Sequence, residues 1–122
     1  MGYAVDWEAA DLGCKSEADA RAAGGIVNSS WLSPRHLVVT PWEPPLPGLE
    51  WYLAIENFEG DHWFEDEAWK VWRAIAPHMA DGASIEFSGE GNRWRIRWED
   101  GRVFEDHIEQ VIWKETREIT AP

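Results

Sequence analysis

The chain has 122 residues with 11 basic and 23 acidic side chains, a net charge of −12, and 44% hydrophobic residues, enough for one compact core and one domain spanning 1–122. No apolar run approaches the roughly 18 to 20 residues of a membrane span and the N-terminus lacks a secretory layout, so a soluble, cytoplasmic protein is expected. The single Cys14 excludes an internal disulfide, the four scattered histidines give no zinc spacing, and the strong negative charge disfavours nucleic acid and anionic membranes.

In chain order, residues 2–8 alternate Tyr3, Val5 and Trp7 against Ala4, Asp6 and Glu8, which predicts a strand. Ser16-Glu-Ala-Asp19 has capping-box form, and the alanine-rich run to Ala23 meets Gly24-Gly25, predicting a short helix over 17–23. His36–Thr40 reads as a short strand stopped at Pro41, and four prolines between Pro41 and Pro47 force an extended connector. Leu49–Phe58 places Trp51, Leu53 and Ile55 at period two, a half-buried strand. From about Trp63 the period changes, with Trp69, Trp72, Ala76 and Met79 at helical spacing; Pro77 kinks or ends this main helix, and Gly82 follows as a stop.

The C-terminal third is patterned most clearly. Ser84–Ser88, Arg93–Glu99 and Arg102–Glu105 form a three-stranded meander, joined by turns at Glu90-Gly-Asn92 and Asp100-Gly101; Ile108–Trp113 continues it, and 114–122 read as a frayed tail. The fold class is therefore α+β: an antiparallel sheet of about five strands, with the main helix and the short N-terminal helix packed on one face. Most of the 10 tryptophans are expected in the core, among them Trp69, Trp72, Trp94 and Trp98, while Trp31, Trp42 and Trp63 fall in loops or at a helix start.

Charge is regional. Between Arg35 and Lys70 there is no basic residue, and there are eight acids. Glu43, Glu56, Glu59, Asp61, Glu65 and Asp66, interleaved with Trp42 and Trp63, form a candidate surface for a protein partner with a basic face, steered by charge and anchored by aromatics. Arg93, Arg95 and Arg97 line one strand face as a candidate anion-binding strip, unless acids such as Glu86 and Glu105 neutralise them.

No catalytic residue, metal site or cofactor is assigned. Asp61, His62, Glu65 and Asp66 are explained by helix-start capping, Asp106 and His107 point to opposite faces, and Cys14 has no histidine near it in sequence to act as base. No phosphate-binding loop, dinucleotide fingerprint, hydrolase elbow or zinc-protease motif occurs.

The stretch Trp94-Arg-Ile-Arg-Trp-Glu-Asp-Gly-Arg-Val-Phe-Glu105, with Val111-Ile-Trp113 and Met1-Gly-Tyr3, resembles an uncharacterised group of small acidic proteins from high-GC bacteria and their phages. The resemblance implies a phage or mobile-element accessory protein and carries over no site residues. The leading expectation is a noncatalytic inhibitor or immunity-type factor. A small-molecule binder or enzyme with an aromatic-walled pocket is the first alternative, and a self-assembling component or homo-oligomer the second.

Overall fold

The computed structural model describes residues 5–30, 36–42, 51–60, 62–89 and 91–108, with the backbone alone over 62–67. The elements run β1 (Asp6–Asp11), α1 (Glu17–Ser29), β2 (Leu37–Pro41), β3 (Leu53–Phe58), α2 (His62–Ile75), a 3-10 turn (Ala76–His78), β4 (Ser84–Gly89), β5 (Asn92–Glu99) and β6 (Arg102–His107). The fold is α+β as the patterning predicts. The strands, however, form a four-stranded antiparallel sheet in the order β1-β4-β5-β6 and a separate β2-β3 pair, rather than one sheet of five.

The C-terminal meander is the regular part, with Ile85 opposite Ile96 and Phe87 opposite Trp94 in an unbroken register. Asp100 and Gly101 both adopt positive φ, the conformation a tight two-residue hairpin turn requires, and the Asp81 carboxylate accepts the Asp100 N–H at 2.8 Å. Trp94, Ile96 and Trp98 turn inward and are buried. There Trp72 of α2 meets Trp98 edge-on at 6.0 Å and tilts against Phe87 at 6.1 Å. The Trp98 indole N–H donates to the Trp72 carbonyl at 3.0 Å. This aromatic group fastens α2 to the sheet.

Among the described side chains of α2 the buried stripe is Ala68, Val71, Trp72 and Ile75, an i, i+3, i+4, i+7 set. Trp69, expected in the core, lies one position off that stripe and is 50% exposed, with Lys70 and Arg73 over its ring. Pro77 has no amide to continue the α ladder, and the helix tightens into the 3-10 turn there.

Ser16 caps α1 as expected, accepting the Asp19 N–H. The helix nonetheless runs through Gly24 and Gly25 to Ser29, six residues beyond the expected stop. Ala20, Ala23, Gly24 and Val27 are buried along one face of α1, which packs against β2, and this burial outweighs the roughly 1 kcal/mol each glycine costs a helix. Past the glycines, Asn28 donates to the Val39 carbonyl at 2.7 Å and accepts the Val39 N–H at 3.0 Å. Its amide thus occupies the outer edge of β2 as a neighbouring strand would.

Among the described residues the N-terminal strand covers Asp6–Asp11, running past the expected end at residue 8, and none of its six residues is buried; Val5, just before it, is. Tyr3, residues 43–50, which hold most of the proline-rich connector, and residues 109–122 lie outside the described residues. Among the described residues no helix is long and apolar enough to cross a membrane.

Candidate cleft between β1 and β3

Strand β1 joins the two sheets only at its ends. Val5 bridges Gly60 and Gly13 bridges Tyr52, one antiparallel register at both points, with no paired residues between them. The second end is the tighter: the Leu53 N–H donates to the Leu12 carbonyl at 2.9 Å and the Cys14 N–H to the Trp51 carbonyl at 2.7 Å. Between the bridges the strands part and leave a cleft of about 340 Å³ lined by Trp7, Ala10, Leu12, Tyr52, Ile55 and, the acidic residue among the described lining, Asp11, together with Leu53 and Ala54.

Two β-bulges account for the opening. Pairing of β1 with β4 jumps between Trp7 and Ala9, so Glu8 is an extra residue there; pairing of β2 with β3 jumps across Glu56, extra in β3. A bulge bends its strand and adds local twist. Counted inward from the two bridges, Glu8 falls opposite Asn57 and Glu56 opposite Ala9, so the two distortions face one another and both strands bend at the same level.

Asp6, Glu8, Asp11, Glu56 and Glu59 are all exposed around this border, and none forms an ion pair with another described residue; Glu8 accepts a hydrogen bond from the Ser88 hydroxyl. Trp7 and Trp42 are 41% and 45% exposed beside them. Trp42 stacks on Tyr52 with centroids 5.6 Å apart and planes at 16°, and its N–H donates to the Tyr52 carbonyl at 2.9 Å. The border therefore combines exposed carboxylates with flat apolar rings.

Of the residues singled out from the sequence, Trp42 lies beside the start of β3, Glu56 in its bulge and Glu59 just past its end. The Glu59 backbone is fixed by His36 through two contacts: the Glu59 N–H donates to the His36 carbonyl at 2.7 Å and the His36 ring Nδ1 to the Glu59 carbonyl at 3.1 Å. Glu43 and Asp61 lie outside the described residues, as do the side chains of Trp63, Glu65 and Asp66 in the first turns of α2. Sequence reasoning missed Trp7, Glu8 and Asp11. Their signal was present in Asp6–Asp11, a strand sequence with no apolar stripe to bury.

The arginine row sits on the outer face of β5, each guanidinium against carboxylate. Arg93 reaches Glu86 at 3.2 Å, Arg95 reaches Asp106 at 2.9 Å, and Arg97 reaches Asp106 at 3.0 Å and Glu99 at 2.6 Å. Glu86 is one of the neutralising acids expected; Glu105 instead contacts His107 at 2.9 Å, and Asp106 takes its place. Hydrogen bonds from Arg97 first, then Arg95, hold the Asp106 carboxyl below its usual range against the opposing effect of burial. A depressed carboxylate contributes stability above its unfolded value and loses it as pH falls through the folded one. Asp106→Asn is accordingly expected to be less stable than the parent at neutral pH by no more than about 1 kcal/mol, since water reaches the pair. Urea unfolding should show that difference closing below about pH 4.

A second polar group joins α1 to the 3-10 turn. Asp19 accepts from Ser16 and contacts His78 Nδ1 at 2.7 Å, and hydrogen bonding to His78 foremost lowers its pKa. A carboxylate holding one imidazole nitrogen is how enzymes orient a base. The neighbouring Cys14 supplies no nucleophile: its buried thiol contacts the Leu12 carbonyl at 3.6 Å, and burial pushes its pKa up to about 11.

No protein-family model, curated protein or solved structure matches the chain.

Proposed function

We propose that this protein is a noncatalytic protein-binding factor, of inhibitor, immunity or phage-accessory type, acting in the cytoplasm and engaging a partner with a basic surface along the β1–β3 border. The observation that carries this reading is β1 itself: six residues exposed throughout, bearing acids with no ion pair to another described residue, beside Trp7. A core-forming strand hides one face; this one gives its whole length to solvent. Long-range attraction from Asp6, Glu8, Asp11, Glu56 and Glu59 would speed encounter, and Trp7 and the Trp42–Tyr52 stack would supply apolar contact once water leaves. The arginine row has no part in it, because its charges are matched by carboxylates of the same sheet.

The test is capture of basic proteins at low salt by the parent and by a variant carrying Asp6→Asn, Asp11→Asn, Glu56→Gln and Glu59→Gln. The parent is expected to retain a defined partner that is released as salt rises, and the variant to lose it. Equal capture by both would remove the proposal.

A second reading, binding of a small molecule, is favoured by a groove of about 410 Å³ between α2 and β6, walled by Trp69, Trp72, Ile96 and Phe104 with Arg73 and Glu105 as polar groups. Quenching of tryptophan fluorescence by a metabolite, lost in Trp69→Ala, would support it over the first.

A further inference from the structure

We infer that the β1–β3 cleft receives an arginine side chain of the basic partner, a reading that rests on the function proposed above and names the chemistry at its centre. Strand alternation fixes what the cleft offers. Leu12 gives its carbonyl to Leu53, so two residues back along β1 the N–H and C=O of Ala10 face the gap; two residues forward along β3 those of Ile55 face it from the other side. In a closed ladder Ala10 and Ile55 would exchange hydrogen bonds; with no pairing between the bridges, their carbonyls are acceptors waiting for donors.

Asp11 lines the same space, and Trp7 and Tyr52 line it as aromatic residues. Carbonyls and a carboxylate beside aromatic faces match a guanidinium, which is planar, carries several donors and no acceptor, and stacks on rings while its edges donate. Apolar Leu12 and Ile55 suit the methylene stem. The two bridges decide how the occupant enters. They close the cleft at both ends, so an extended strand cannot thread through; a side chain entering sideways can. The charge around the opening is entirely acidic among the described residues of β1 and β3, which selects a cation over a neutral or anionic group.

The inference is tested by heteronuclear NMR titration with a capped glycine peptide carrying one central arginine, its neutral citrulline twin, free arginine, and an oligo-arginine peptide. The arginine peptide is expected to shift the Ala10, Asp11 and Ile55 amides and the Trp7 indole, leaving Trp98 unmoved. Citrulline should bind roughly tenfold more weakly, the scale of a partly desolvated cation–aromatic contact. Ala10→Leu, at an exposed position, fills the cleft and should abolish the shifts with the other resonances in place; Asp11→Asn, which leaves the cleft open, should weaken them.

Equal binding of citrulline, shifts confined to other residues, or free arginine binding as tightly as the peptide would overturn the inference. If oligo-arginine binding survives Ala10→Leu but fails in Glu56→Gln with Glu59→Gln, the cleft assignment falls and the basic-partner reading stands. If no basic peptide binds at all, both fall.

Discussion

Trp98→Ala is expected to lower the unfolding free energy by about 3–5 kcal/mol, the cost of emptying a large aromatic site in a core that relaxes only in part. Trp98 is wholly buried, packs edge-on to Trp72, and donates its indole N–H to the Trp72 carbonyl in the last turn of α2. Its removal leaves a cavity and takes away an indole hydrogen bond at the joint between helix and sheet. For a domain whose total stability is on the order of 5–15 kcal/mol, the loss is a large fraction. Urea unfolding followed by circular dichroism should show the midpoint falling with little change in slope. Trp98→Phe, which keeps most of the volume and loses only the indole N–H, should cost about 1–2 kcal/mol. An alanine variant losing less than about 1 kcal/mol would show that the helix is held to the sheet elsewhere.

Gly60→Ala is expected to cost about 1–3 kcal/mol by overpacking and to open one end of the β1–β3 cleft. A Cβ on Gly60 would stand 2.5 Å from the Val5 carbonyl oxygen and 2.9 Å from Phe58 Cζ. The carbonyl belongs to the Val5–Gly60 bridge and cannot move without breaking it. Hydrogen exchange should quicken at Val5 and Asp6 while the Gly13–Tyr52 end stays protected by its backbone bonds. Unchanged exchange at Val5 would mean that this bridge does not hold the strand. Because the substitution loosens the frame without touching a lining side chain, it also separates the shape of the cleft from its chemistry.

The readable parts of the fold share one property, that their cause is local. Arg93–Glu99 alternates without interruption and forms β5, and Asp100-Gly101 supplies the two positive-φ residues of its turn. Ser16 and Asp19 close the start of α1 within one turn of chain. The pairing of Arg93 with Glu86 was legible because their strands are joined by a short hairpin. Harder positions were those where distant segments compete: the glycine stop at Gly24 gave way to burial against β2, and Trp69 left the core because packing of α2 on the sheet chose the stripe through Ala68 and Val71.

The acidic and aromatic character of the candidate site was visible in Trp42, Glu56 and Glu59, but its position was not. The bulges at Glu8 and Glu56 have no local signature, since an extra residue in a strand is defined only by the partner it fails to pair with. Trp7 and Asp11 join Tyr52 and Ile55 through pairing of segments far apart in the chain. Composition, hydrophobic period and turn chemistry by themselves determined the fold class, the C-terminal meander, the main helix and the excess of negative charge, because each follows from the preferences of neighbouring residues. Which strands meet, where they part and which described carboxylates stand beside a guanidinium were decided by the tertiary structure alone, because those outcomes depend on contacts between residues that meet only when the whole chain is packed.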